Sequence, residues 1–163
     1  MKKIYIIGAV GTGKTTLAKK MSEQFNISMY ELDKVVWDDD SGNIKRSDDV
    51  VRKMFEEILA KDSWIIEDVG RKKFRKGITE ADMVYYINLP SFTVYKRCIF
   101  RWIKQKLGKE SYNYKPTVKG LVLMLKWAHS DMENKDEKIN YIKENAKKYK
   151  ILKRNDINFI DRS

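Results

Sequence analysis

The chain has 163 residues, with 34 Lys and Arg against 23 Asp and Glu, so its formal net charge is +11 at pH 7. This length suits one compact domain with a central sheet and two helical layers, and it excludes a two-lobed helicase motor or a full transporter ATPase. Aromatic residues make up 12% of the chain and proline occurs twice, a composition that argues against disorder. The single cysteine, Cys98, excludes an internal disulfide and favours a reducing cytoplasm.

The longest wholly apolar run, residues 121–125, is far too short to span a membrane. Near the N-terminus, Gly8 and Lys14 interrupt the apolar stretch, so residues 1–7 do not fit a signal peptide. We therefore expect a cytoplasmic protein without a membrane partner.

The positive charge is concentrated in one block. Residues 71–130 hold 14 basic and 3 acidic side chains, whereas residues 1–70 hold 11 basic and 13 acidic ones. A block of this kind favours an anionic ligand or partner, such as phosphate groups, nucleic acid or an acidic surface.

Strands and helices are predicted to alternate along the chain. Short apolar or β-branched runs predict strands at 2–7, 27–32, 64–67, 83–89 and 150–153. Helical spacing of apolar residues predicts helices at 14–25, 47–59, 91–107, 116–129 and 131–149, the second of them capped by Ser47. Strands separated by helices imply a parallel sheet covered on both faces, and no linker divides residues 1–163 into separate domains.

A glycine-rich sequence follows the first predicted strand and begins the first predicted helix. Gly8, Ala9, Val10, Gly11, Thr12, Gly13, Lys14 and Thr15 match the phosphate-binding motif G-x-x-x-x-G-K-[ST]. In such a loop, backbone N–H groups surround the phosphates, the lysine contacts the β- and γ-phosphates, and the threonine hydroxyl binds Mg²⁺. Thr16 is a candidate for the α-phosphate. The motif therefore predicts binding of ATP with Mg²⁺.

The guanine-recognition sequence of GTPases is absent, because Asp136 comes one position too early after Asn134 and Lys135. The chain also lacks a transporter-ATPase signature. A small kinase-like domain remains.

Acidic residues end two of the predicted strands. Asp68, with Glu67 as second choice, is placed to order the water shell of Mg²⁺. Asp33 follows the second strand, where it is a candidate general base for an acceptor substrate. Acids also commonly end strands as solvated or loop-capping residues, so both alternatives stay open from the sequence.

Arg97, Arg101 and Lys104 share one stripe of the helix at 91–107, with Tyr95, Ile99, Trp102 and Ile103 predicted to face inwards. Beside a phosphate-binding loop, such arginines can neutralise the transferring phosphoryl group; otherwise the stripe is a solvated face. Residues 104–120 are a candidate lid that excludes water.

Several segments together resemble the DNA topology modulation proteins, small P-loop proteins related to adenylate kinase and shikimate kinase. They are GAVGTGKTTLAKK, ELDKVVW, WIIEDVGRKKF, INLP and YKRCIFRWIKQ. The likeness is most convincing over residues 1–130. It departs at Asp68-Val69-Gly70, where many relatives have Asp-Gly-Asn, and the Gly-Phe-Pro-Arg signature of adenylate kinases is absent.

The resemblance implies an α/β three-layer sandwich with a five-stranded parallel sheet of order 2-3-1-4-5. It also implies an acceptor-binding region at about 33–62 and a basic lid at about 104–120. By position, Gly8 to Thr16 bind nucleotide, Asp33 faces the acceptor, Asp68 supports magnesium, and Arg97 and Arg101 lie on the lid side. Arg154 falls where relatives hold the adenine.

Three functions are compatible with these features. The first is an ATP- and Mg²⁺-dependent phosphotransferase acting on a nucleoside, nucleotide or metabolite. The second is a nucleic-acid-binding NTPase, suggested by the basic block at 71–130 with its interleaved aromatic residues Trp102, Tyr112, Tyr114 and Trp127. The third is a nucleotide sensor without turnover.

Overall fold

A five-stranded parallel sheet forms the centre of the computed structural model, which describes residues 2–38, 44–109 and 116–153. Its strands are β1 (Lys3–Gly8), β2 (Met29–Glu31), β5 (Trp64–Asp68), β6 (Met83–Ile87) and β7 (Tyr149–Leu152). They lie in the spatial order β2-β5-β1-β6-β7, with every neighbouring pair parallel. Counted along the chain within this sheet, the order is 2-3-1-4-5. The predicted fold class is confirmed.

Helices cover both faces of the sheet. They are α1 (Lys14–Phe25), α2 (Leu32–Val36), α3 (Asp48–Leu59), α4 (Arg75–Glu80), α5 (Ser91–Lys106), α6 (Val118–Glu133) and α7 (Lys135–Asn145), with a 3₁₀ turn at Lys72–Phe74. A small antiparallel pair, β3 (Trp37–Asp38) and β4 (Ile44–Lys45), lies outside the main sheet. Within the described ranges, no helix combines the length and apolar character needed to cross a bilayer.

The core has two halves because successive strand residues point to opposite faces. On β1, Tyr5 and Ile7 pack with α2, α3, α4 and α7. Ile4 and Ile6 pack on the other side with α1, α5 and α6. The same alternation on β5 separates Ile66 from Ile65, and it therefore directs Glu67 and Asp68 to opposite faces at the end of that strand.

Several predicted boundaries were wrong. The second strand ends at Glu31, and residues 32–36 form α2, because Leu32, Val35 and Val36 are buried at helical spacing. The predicted helix at 131–149 begins at Lys135 and ends at Asn145, and Tyr149 belongs to β7. Helix α3 begins directly after Ser47 as predicted, but the Ser47 side chain makes no capping hydrogen bond. The 3₁₀ turn and α4 were not predicted.

The inward face of α5 was also predicted wrongly in part. Val94 and Cys98 face the core, whereas Ile99 and Ile103 are 39% and 38% exposed. Helix α6 packs against the side of α5 that carries Tyr95 and Trp102. The Tyr95 hydroxyl lies 2.9 Å from His129 Nδ1, and Trp102 Nε1 donates to Thr117 O at 3.0 Å. The side of α5 opposite the core therefore keeps exposed apolar residues.

We predict that Gly77→Ala destabilises the fold. A Cβ at Gly77 would lie 2.5 Å from Cε2 of buried Tyr5 and 3.2 Å from Cζ of Phe55. Overpacking of this kind costs about 1–3 kcal/mol, measurable as a lower midpoint of urea unfolding. Gly108→Ala is the comparison variant, because its new Cβ meets nothing within 4 Å and only its φ of +67° is unfavourable. Unchanged stability of Gly77→Ala would contradict the packing described.

Candidate nucleotide and acceptor site

The phosphate-binding loop connects β1 to α1 with a backbone that glycine alone adopts easily. Gly11 and Gly13 have φ of 79° and 94°, in the left-handed region. Gly13 is the N-cap of α1, where no side chain caps the helix and no acidic residue occupies the first turn. The first N–H groups of α1 therefore lack side-chain acceptors, an arrangement that suits a phosphate group.

Lys14 is folded into this loop. Its side chain is largely buried, at 8% exposure for the residue, and its Nζ donates to Ala9 O at 3.0 Å. The Thr12 hydroxyl donates to the same carbonyl at 2.8 Å. Because a phosphate oxygen is a stronger acceptor for an ammonium group than a neutral carbonyl, Lys14 is positioned to exchange Ala9 O for a phosphate.

Helix α5 supports the loop from the side. Arg97 donates from a guanidinium nitrogen to Thr12 O at 2.9 Å, and the Cys98 Sγ lies 3.9 Å from Val10 O. Burial raises the pKa of the Cys98 thiol, while the charges of Arg101 and Lys14 oppose that rise. Both predicted arginines are thus on the helix that contacts the loop, and their part in phosphoryl transfer stays a prediction.

Glu67 is the carboxylate that faces the loop. The Thr15 hydroxyl donates to its Oε2 at 3.4 Å. Burial raises the pKa of Glu67 to about 7, the positive charge of Lys14 opposes this, and the negative charges of Asp33, Glu31 and Asp68 add to it. Carboxylates at the ends of β2 and β5 and at the start of α2 are thus gathered at one edge of the sheet, where Glu31 is paired with Glu67 across the two strands.

Asp68 has different partners. Its side chain is fully buried, and its Oδ2 accepts the backbone N–H groups of Gly70 at 2.8 Å and Arg71 at 2.6 Å. Its Oδ1 accepts from the Arg71 guanidinium. The assignment of Asp68 to magnesium stays a prediction, and the geometry favours Glu67, the second choice, because Asp68 is already engaged on the opposite face of β5.

Arg71 is a site residue that the sequence did not single out. Its guanidinium forms ion pairs with both Asp68 and Asp33. Burial alone would lower the pKa of Arg71, but the charges and hydrogen bonds of the two carboxylates raise it. In the sequence Arg71 is only the first residue of the basic run 71–76, and nothing in that run distinguishes it from its neighbours.

Asp33 lies in the first turn of α2, directly after β2, with 58% of its side chain exposed. The predicted placement near the loop's edge of the sheet fits this position, and its catalytic role stays a prediction. Although it contacts Arg71, more than half of the Asp33 side chain stays accessible to a ligand.

An open cavity of about 320 Å³ lies beyond the loop, lined by Asn88, Leu89, Pro90, Ser91, Lys135 and Lys153. A smaller cavity shares four of these residues and reaches Ala9 and Thr12. Together the two cavities extend from Ala9 and Thr12 of the phosphate-binding loop to Lys153, directly after β7. Thr16 is exposed at the start of α1. Arg154, and residues 110–115 of the predicted lid, lie outside the described residues.

The donor set fits a magnesium ion bound together with a nucleotide. The Thr15 hydroxyl and the Glu67 carboxylate supply oxygen atoms, which Mg²⁺ prefers. Across residues 2–38, 44–109 and 116–153, no group of three or more His, Cys, Asp or Glu side chains could hold a metal alone.

We predict that Glu67 makes stability depend on pH. The pKa of Glu67 is about 7 in the folded protein against 4.5 ordinarily. The folded state therefore holds the Glu67 proton more tightly than the unfolded state does. This contribution to the free energy of unfolding is full below pH 4.5 and is lost as pH rises through 7. The amide of Glu67→Gln does not titrate, so this loss of stability is absent from the variant. The unfolding free energy of the wild type, measured against that of Glu67→Gln, should therefore fall by about 3 kcal/mol between pH 4.5 and 8.

Glu57→Gln, which changes an exposed carboxylate on α3, serves as the control and should not alter the pH profile. A difference between wild type and Glu67→Gln that does not vary with pH would contradict the burial of Glu67.

Comparison with known proteins agrees with this geometry. The model of the AAA family, "ATPase family associated with various cellular activities", matches residues 4–69. A shikimate kinase of Persephonella marina (strain DSM 14350 / EX-H1) is 24% identical over 112 residues, covering 60% of this chain and 68% of that protein. A shikimate kinase of Marinomonas sp. (strain MWYL1) is 31% identical over 78 residues, covering 48% of this chain and 33% of its own length.

Among solved structures, shikimate kinase from Acinetobacter baumannii in complex with shikimate superposes with a TM-score of 0.61 at 14% identity, covering 98% of this chain and 88% of that one. At such low identity the superposition establishes the fold. The chain has the α/β fold of the nucleotide-kinase type, that of the small P-loop kinases.

Proposed function

We propose that this protein is an ATP- and Mg²⁺-dependent phosphotransferase that acts on a small hydroxyl-bearing acceptor: a nucleoside, a nucleotide or a metabolite. One observation carries the proposal. The loop group of Lys14, Thr15 and Glu67 lies at the same sheet edge as the Asp33–Arg71 pair. Glu67 is paired with Glu31 across β5 and β2, and Asp33 follows Glu31 by two residues. A phosphate donor site and an acceptor site are thereby adjacent.

On the donor side, the backbone of residues 8–16 and the N-terminus of α1 bind the phosphates, and Lys14 neutralises their charge. Thr15 and Glu67 would hold Mg²⁺, which when bound stabilises the negative charge on the phosphate oxygens. Arg97 and Arg101 come from α5, and we assign them the neutralisation of the phosphoryl group during transfer. We place the adenine in the cavity near Lys153, which directly precedes Arg154 in the chain.

On the acceptor side, Asp33 accepts the proton of the attacking hydroxyl. Its ion pair with Arg71 is partly exposed, whereas that of Arg71 with Asp68 has a fully buried partner. Exposed pairs contribute little and are readily exchanged. Asp68 therefore fixes Arg71 at the strand end, while an acceptor can separate Asp33 from Arg71 and engage both.

The similarity to shikimate kinases supports small-molecule phosphotransfer as the reaction class. The resemblance to the DNA topology modulation proteins stays a prediction, as does a cytoplasmic location. For nucleic acid, Trp102 is a poor stacking platform, because its indole donates to Thr117 O and lies beneath the ammonium of Lys106.

We predict that Lys14→Ala lowers kcat/KM for ATP-dependent phosphorylation by about 100- to 1,000-fold, since a charge that stabilises the transition state is lost. Phosphate transfer from radiolabelled ATP to a panel of nucleosides, nucleotides and hydroxylated metabolites measures it. Lys20→Ala, which changes an exposed lysine in the middle of α1, is the matched control. Equal turnover by Lys14→Ala and wild type would exclude the P-loop as the donor site.

We predict that Asp33→Asn slows transfer to the acceptor by about 100-fold or more while the protein still binds ATP, because Asp33 lies outside the phosphate-binding loop. Nucleotide binding by thermal shift and acceptor phosphorylation are measured on the same preparations. ATP binding with no product from any acceptor in the wild type would favour the nucleotide sensor. ATP hydrolysis that depends on added DNA would favour the NTPase.

A further inference from the structure

Exposed apolar side chains are concentrated on one part of the molecule. Of the thirteen large hydrophobic side chains that are exposed among the described residues, nine lie on α5, α6 or directly after α5. They are Phe92, Ile99, Phe100, Ile103, Leu107, Val118, Val122, Leu123 and Trp127. A concentration of exposed apolar side chains on neighbouring helices favours an interaction site.

The α5 members share one face. Phe92, Ile99 and Ile103 are separated by seven and four residues, which places them on one side of a helix, and Leu107 continues that line. Val94 and Cys98 occupy the opposite, core-facing side. Phe92 is 78% and Leu107 is 64% exposed. We call Phe92, Ile99, Phe100, Ile103 and Leu107 the outer face of α5.

The charged residues of α5 are all basic. Helix α5 carries Lys96, Lys104 and Lys106, besides Arg101 and the Arg97 that contacts the phosphate-binding loop, and it contains no acidic residue. The ammonium of Lys96 lies 5.7 Å from the ring centre of Phe100, so its aliphatic stem runs along the apolar surface. A partner of this face must therefore accept apolar side chains and carry negative charge.

We propose that the outer face of α5 binds the surface of an anionic lipid bilayer. An amphipathic helix with apolar residues on one face and flanking lysines inserts those residues at the boundary of headgroups and acyl chains, while the lysines contact lipid phosphates. Our expectation of no membrane partner rested on the lack of a spanning segment, and peripheral binding requires none. This inference is independent of the proposed phosphotransfer.

Other partners fit less well. A second copy of the chain would bring two all-basic helices together, which is unfavourable. Single-stranded nucleic acid is held by aromatic stacking, whereas six of the nine exposed side chains are aliphatic. A peptide helix binds in a groove, and neither of the two cavities described above is lined by the outer face.

Flotation of the full-length protein with vesicles tests the proposal. The vesicles contain phosphatidylcholine alone or phosphatidylcholine mixed with phosphatidylglycerol. We expect flotation with the anionic vesicles that weakens as salt is added, and little with the neutral ones. Phe92→Ser and Ile103→Ser should each lower binding about tenfold, and Lys96→Gln and Lys104→Gln about fivefold.

Val50→Ser, at an exposed apolar position of α3, is the matched control and should bind like the wild type. Thermal unfolding of each variant checks that the fold is kept, and Leu107→Ser, outside the helix, replaces any variant that fails this check.

Three results would overturn the proposal. The first is no flotation with anionic vesicles. The second is binding of a labelled single-stranded oligonucleotide that responds to these variants while vesicle binding is absent. The third is a dimer in sedimentation that Phe92→Ser converts to a monomer. None of these results affects the phosphotransfer proposal, which acceptor phosphorylation tests separately.

Discussion

Parallel pairing of β1 with β5 is the constraint on which the site depends. The register sets Ile6 opposite Glu67 and Ile7 opposite Asp68, so the phosphate-binding loop leaves β1 next to the two carboxylates that end β5. Strand alternation then directs Glu67 to the face of α1 and Asp68 to the face of α2 and α4. A shift of one residue in this register would exchange the two carboxylates and place Asp68 beside Thr15.

This division gives each carboxylate its own electrostatic environment. Burial raises the pKa of Glu67 to about 7, and the arrival of a cation beside this carboxylate is favourable. Asp68 is buried with two backbone N–H groups and a guanidinium, which satisfies it within the protein. The first carboxylate is thus suited to a ligand, and the second holds Arg71 towards Asp33.

The sequence predicted the loop, the strands and most helices because these depend on local signals: apolar runs of strand length, helical spacing and the glycine motif. The order of the strands depends on pairing between distant segments, and it was expected only from the resemblance to a known family. It did not separate Glu67 from Asp68, since their difference arises from the pairing of distant strands. It did not identify Arg71, whose importance comes from contacts with Asp33 and Asp68 on two other segments. Ile99 and Ile103 were assigned to the core because spacing alone does not show which side of α5 the neighbouring helix covers.

The central claim is that Mg²⁺ and nucleotide bind between Lys14 and Glu67. It is tested most directly by measuring the number of protons that the protein releases on binding. A non-hydrolysable ATP analogue is titrated with Mg²⁺ into the protein near pH 7 by calorimetry, in two buffers of different ionisation enthalpy. Because a cation lowers the pKa of an adjacent carboxyl, the account predicts that Glu67 releases a proton on binding, and that Glu67→Gln binds without this release. Binding with the same proton release in both proteins, or no binding at all, would contradict it.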